Sequence, residues 1–217
     1  MSTDLMERAK GGCAESQLDL GIYFADKDLE KTLFWFGKAA DGGSAWGMWN
    51  TLVALRGFDR DGSRADLFAD MLKRLVGMEL GNPEADSELG LIYCDDQDPQ
   101  IVRYAGFVPS MINMGEGLRK FKKVAEIFKN TGESPLSLGT VERVEKVVGD
   151  RAVQLRDRGD SRREYLDWAE VHVSYAEMLY DGMRNYPGIP PEMVYVYKQN
   201  AELAKSVLET KRREYGA

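Results

Sequence analysis

The sequence predicts an all-α chain, built as a repeat solenoid of antiparallel helix pairs. Three observations lead there. Apolar residues recur at helical spacing, and no stretch shows the strict alternation of a half-buried strand. The phrase Ala40-Asp41-Gly42-Gly43 has an earlier copy, Ala9-Lys10-Gly11-Gly12, at an offset of 31 (40 − 9). A Leu-Gly pair follows a glycine at fixed distance twice, Leu20-Gly21 after Gly12 and Leu89-Gly90 after Gly81, a step of 8 each time (20 − 12, 89 − 81). Repeat periods of roughly 20–50 residues mark units that bury their apolar faces only against neighbours.

The elements follow in order. Residues 3–10 read as the tail of an incomplete unit, with Ser2 or Thr3 as N-cap. A helix is expected over 14–25, carrying Leu20, Gly21 and Phe24, and a second over 28–41. In the second, Leu33, Phe36 and Ala40 share one face, Ala39 and Ala40 allow a close helix approach, and Gly42-Gly43 supply the left-handed C-cap. Residues 44–56 form a third helix with Trp46 and Trp49, followed by a loop from 56 to 62. Asp59, Asp61 and Gly62 read there as an N-cap and turn, because the glycine comes too early for a calcium loop and the downstream ligands are missing. A helix over 64–80 carries Leu67, Met71, Leu75 and Met78.

Asn82-Pro83 starts the next helix, which runs to about Cys94. Asp95, Asp96 and Asp98 read as solvated loop acids. The apolar, Met-rich stretch 104–117 is broken by Pro109 and reads as a crossing helix or a contact surface around Phe107 and Met111. A basic helix over 116–130 is expected to turn Arg119, Lys120, Lys122, Lys123 and Lys129 to solvent. Helices at about 140–157 and 161–183 precede a final one over 191–214, whose Lys211-Arg212-Arg213 end suits a helix C-terminus. The total is ten or eleven helices.

Taken together, these phrases resemble the SEL-one-like repeat, a relative of the tetratricopeptide repeat. The family's A-helix pattern, A-x-x-x-L-G-x-x-Y, is matched by Ser16, Leu20, Gly21 and Phe24. Its B-helix pattern, K-A-x-x-W-[YF]-x-K-A-A-x-x-G, is matched by Lys31, Thr32, Trp35, Phe36, Lys38, Ala39, Ala40 and Gly43. Ser16 and Thr32 stand where the family has alanine, and the loop 25–29 lacks its G-x-G-V. Residues 84–93 match on the A-helix only, and Tyr175 to Gly182 imitate the A phrase again. The resemblance implies a right-handed α/α superhelix over 1–217 as a single solenoid, with 94–165 an irregular helical part. It also implies a protein–protein interaction module, an adaptor or scaffold with a protein or peptide on its concave face.

Composition narrows the function classes. The 217 residues are 43% apolar and 30% charged, with a formal net charge of −7, which argues against a nucleic-acid binder. No run approaches the ~18 apolar residues that span a bilayer, and no signal-peptide core is present, so no membrane role and a reducing, cytoplasmic location are expected. Cys13 and Cys94 read as small packed thiols. The only histidine, His172, reads as a partly buried structural residue and cannot build a multi-histidine metal site. There is no phosphate loop of the GxxxxGK[ST] type and no CxxC pair, so neither cofactor nor metal nor catalytic constellation is expected, and a monomer is permitted.

The candidate partner-binding residues are Trp46, Trp49 and Arg56, whose spacings of 3 and 7 (49 − 46, 56 − 49) put them near one side of a helix. Two aromatic rings and a guanidinium suit peptide capture; the competing reading is that both tryptophans fill a gap between repeats. A small enzyme or enzyme inhibitor on a helical repeat scaffold is the alternative function. Some cysteine-rich relatives in the family are linked to β-lactam binding or hydrolysis, but their regular disulfides are absent here.

Overall fold

The computed structural model describes residues 3–94, 104, 112–159 and 161–216. Among the described residues there are ten helices and no strand, so the chain is all-α. The acidic loop 95–98, Phe107 and Met111 lie outside the described residues. The chain divides into two compact units, one of residues 1–81 with 95–113, the other of 82–94 with 114–217.

The first unit holds α1 (Thr3–Lys10), α2 (Ala14–Phe24), α3 (Leu29–Asp41), α4 (Ala45–Phe58) and α5 (Ala65–Arg74). The repeated glycine phrase closes two helices in the same way. After α3, Gly43 takes φ 88°, its N–H donates to Ala40 O at 2.9 Å, and Ser44 N donates to Ala39 O at 3.0 Å. After α1, Gly12 takes φ 93°, its N–H donates to Ala9 O at 3.1 Å, and Cys13 N donates to Arg8 O at 3.1 Å. This is the paired bonding of a Schellman stop, so the sequence repeat is a repeated helix terminus. Asp28 and Ser44 then start α3 and α4, accepting from Lys31 N and Gly47 N, each at 3.1 Å.

Packing follows from the small residues. A Cβ on Gly21 would lie 3.0 Å from Phe36 Cγ and nearer still to the ring edge, so α2 and α3 meet at a glycine–phenylalanine contact. A Cβ on Gly47 would sit 2.5 Å from Ala40 N, so α4 crosses α3 at the two alanines. Leu20, Trp35, Phe36 and Ala39 are buried, while Phe24 is half-buried and packs with Leu5 and Met6 at the edge of a cluster formed by Ala9, Leu20 and Trp35.

The turn reading of Asp59–Gly62 is realised. The Asp59 carboxylate accepts from Ser63 Oγ (3.0 Å), Arg64 N (3.1 Å) and Tyr104 Oη (3.1 Å), and Gly62 has φ 70°. Tyr104, fully buried, stacks on Phe68 at 4.3 Å between centroids. The helix expected over 64–80 stops at Arg74, because Gly77 turns the chain with φ 78° although Leu75 continues the apolar stripe.

The second unit holds α6 (Pro83–Cys94), α7 (Met114–Thr131), α8 (Leu138–Arg158), α9 (Arg162–Asn185) and α10 (Pro191–Tyr215). Helices α6 and α7 reproduce the α2–α3 contact: a Cβ on Gly90 would lie 2.6 Å from the Phe121 ring. Superposing Gly90 on Gly21 and Phe121 on Phe36 sets Leu118, Lys123 and Ala125 on Leu33, Lys38 and Ala40. Lys120 then falls on Trp35, and Asp86 on Gln17.

That register corrects the solvated lysine face at Lys120 alone, since Lys129 is exposed as expected. Lys120 occupies a core position, 1% exposed, with its ammonium 2.6 Å from the buried Asp86 carboxylate. Lys122 and Lys129 pair with Asp167 and Glu170 of α9 at 2.6 and 3.1 Å. Glu84 at the start of α6 binds the start of α8, accepting from Ser137 N (3.0 Å), Ser137 Oγ (2.7 Å) and Thr140 Oγ1. Burial pushes its carboxyl upward, but the Thr140 and Ser137 hydrogen bonds and the Arg143 charge outweigh that, so the net shift is downward.

Candidate functional site

The second unit carries a cleft of about 260 Å³, cut between α8 and α10 with α9 as its floor. The run Arg162–Asn185 reads RREYLDWAEVHVSYAEMLYDGMRN, and three residues on one side of it, Tyr165, Ala169 and His172, form the floor at i, i+4 and i+7. The α8 wall is Glu145, Gly149, Ala152, Val153 and Arg156. The α10 wall is Asn200, Leu203, Ala204 and Val207. Val153 and Leu203 stand at the rim with 46% and 64% exposure, large apolar side chains left to water on either side of Ala169.

One polar pair is set into the wall. His172 Nε2 lies 2.9 Å from Glu145 Oε1, each side chain 25% exposed. Gly149 makes room for the imidazole, since a Cβ there would come 2.9 Å from Nε2. The histidine is therefore a cleft residue with a carboxylate partner and a glycine beside it. Tyr165 forms the deep end, 3% exposed; burial first, then the neighbouring Tyr215, pushes its hydroxyl above the ordinary tyrosine range. The lining holds no serine, threonine or cysteine.

The three residues singled out from the sequence divide differently. Trp46 is 38% exposed on α4, whereas Trp49 is buried at 7%, and Arg56 is half-buried. A step of three leaves the two side chains about 60° apart around the helix axis, and Trp46 lies in the first turn of α4, where it keeps an exposed edge while Trp49 is covered. Val53, seven residues after Trp46 and 46% exposed, is the residue that shares its face. The cleft was missed because its walls come from helices far apart in sequence, but its floor spacing and the Gly149 position were readable.

Cys94 is buried, and Cys13 is half-buried at the start of α2, where hydrogen bonds from the Ser16 side chain and backbone lower its thiol. Among the described residues no three His, Cys, Asp or Glu side chains converge as metal ligands. No described helix is long and apolar enough to cross a membrane. Fold and site thus define an all-α protein with an open, apolar three-helix cleft. Compared with protein-family models, curated proteins and solved structures, the chain matches none.

Proposed function

We propose that the chain is a cytoplasmic protein–protein interaction module, an α/α repeat adaptor of the SEL-one-like kind, and that the α8–α9–α10 cleft holds a segment of a protein partner. The observation that carries this reading is the exposed apolar rim, Val153 and Leu203, over the apolar floor at Ala169. Grooves of this shape take apolar side chains of a protein segment, with a few polar groups fixing orientation. His172, Glu145, Arg156 and Asn200 supply those polar groups. The repeat reading draws support from the Gly21–Phe36 contact recurring as Gly90–Phe121, and from the glycine stop recurring after α1 and α3. A right-handed superhelix over 1–217 is the architecture this reading adopts, with 94–165 departing from the repeat pattern.

The test uses the full chain as bait in extract of its native host, beside Val153→Asp, with captured polypeptides identified by mass. A polypeptide kept by the unaltered chain and lost with Val153→Asp is expected. Equal capture by both removes the cleft; loss with Trp46→Ala instead moves the site to α4. The enzyme or inhibitor alternative has the His172–Glu145 pair on its side. Turnover of a small molecule that disappears in His172→Ala, with no protein captured, would replace the binding reading.

A further inference from the structure

Helix α10 has two faces. Val194, Tyr197, Ala201, Ala204 and Leu208 pack inward and are buried or half-buried. A second line, Met193, Val196, Asn200, Leu203 and Val207, advances by steps of 3, 4, 3 and 4. That alternation is the seam of a two-helix coiled coil. The seam is unpartnered: Met193, Val196 and Leu203 are 43%, 52% and 64% exposed, and Asn200 is exposed. It runs for four turns, about 21 Å at 1.5 Å per residue.

Three features choose the occupant. Asn200 stands in the middle, with apolar residues on both sides at similar distances. Its carboxamide has both donors and an acceptor, so a second Asn200 across a twofold axis satisfies it reciprocally, whereas an apolar foreign helix leaves it unpaired. An asparagine at one seam position is also the device by which self-pairing helices fix register and number. The seam's edges are uncharged, Gln199 and Ser206 towards solvent and Tyr197 and Ala204 towards α9, while Lys198, Glu202, Lys205 and Glu209 lie on the far side by helical phase. Two copies of a chain with net charge −7 therefore meet here without like charges facing each other.

We propose that the occupant is a second copy of this chain, paired parallel and in register through α10 at Asn200, with Val153 of α8 flanking the incoming helix. The inference rests on the reading of the cleft as a protein-binding groove and names what fills it. A four-turn helix pair lies at the low end of specific interfaces, below about 1,200 Å², so the dimer is reversible and forms with rising concentration.

Sedimentation velocity of the full chain from 1 to 200 μM (about the range such small interfaces reach) is expected to move from monomer towards dimer. The double change Val196→Glu with Leu203→Glu is expected to stay monomeric at every concentration. Because both side chains are exposed, its far-UV circular dichroism should be unchanged. Asn200→Asp sets two carboxylates on the axis and should weaken the dimer about tenfold or more at pH 7.5. A photo-crosslinking residue at Val153 reports which reading fails. An adduct of twice the 24.4 kDa chain mass supports the second copy. An adduct of another mass, with the chain monomeric throughout, overturns the second copy and leaves the groove standing. A monomer with no adduct in host extract overturns both.

Discussion

Replacing Gly21 and Gly37 by alanine probes the α2–α3 pair with one methyl group at two sites. Both glycines lie inside helices, where alanine is favoured over glycine by about 0.5–1 kcal/mol. At Gly37 the new Cβ has nothing within 4 Å, so the helix preference acts alone. Stability should rise by about 0.5–1 kcal/mol, or roughly 1–4 °C in Tm for a chain of this size. At Gly21 the Cβ falls 3.0 Å from Phe36 Cγ and closer to Cδ1 and Cε1, and that ring is 4% exposed with no room to swing away. Overpacking of this kind costs about 1–3 kcal/mol, which exceeds the helix gain and lowers stability by up to about 2 kcal/mol. Gly21→Leu places a whole side chain there and should lose at least as much. Urea unfolding followed by far-UV circular dichroism and tryptophan fluorescence reads both changes. If Gly21→Ala and Gly37→Ala shift the midpoint equally in the same direction, the close contact at Phe36 does not exist.

Three further outcomes are expected. Lys120→Met should destabilise the second unit by about 3–5 kcal/mol, because it removes the ammonium that pairs with the buried Asp86 carboxylate; adding Asp86→Leu should recover part of that, and a harmless single change would place the ammonium in water. Glu84 has its folded pKa below 4.5, so its stabilisation is complete above that pH and is lost as the pH falls through the folded value. Glu84→Gln should therefore flatten the acid limb of the stability curve below pH 4.5, and an unaltered limb would exclude the carboxylate as the tie between α6 and α8. Trp49→Ala should cost about 3–5 kcal/mol and Trp46→Ala much less, which thermal unfolding of the two variants compares directly.

The helices were legible because their signals are local. Asp28 and Ser44 cap, Gly12 and Gly43 stop, and the apolar residues between them recur at helical spacing. The α2–α3 contact was legible too, since Gly21 and Phe36 belong to one contiguous phrase. Lys120 was misread because only its own helix was weighed. Lys120 occupies the place of Trp35, and its counter-charge, Asp86, lies 34 residues earlier on another helix. A charged residue at a core position shows itself only once the register is known. Trp49 lies about 60° round the helix from Trp46, near one side as expected, yet its ring is covered and fills the core, the competing reading, while Trp46 keeps an exposed edge. The cleft depends on Glu145, His172 and Leu203 meeting across three helices, and no window of sequence spans them.

The recurrence of one glycine–phenylalanine contact across two sequence separations bears on the order of folding. Four residues join α2 to α3 (28 − 24), and nineteen join α6 to α7 (113 − 94). Loop closure grows by about 0.6 kcal/mol per doubling, so the longer connection adds roughly 1.3 kcal/mol to the entropy of bringing the ends together. The same two-helix hairpin should therefore close about ten times less often in the second unit than in the first. Pulse-labelled amide exchange during refolding would see Leu20 and Phe36 protected ahead of Leu89 and Phe121. Of the two pairs α2–α3 then closes first, and α6–α7 is the later one, whose apolar faces stay open to water longer.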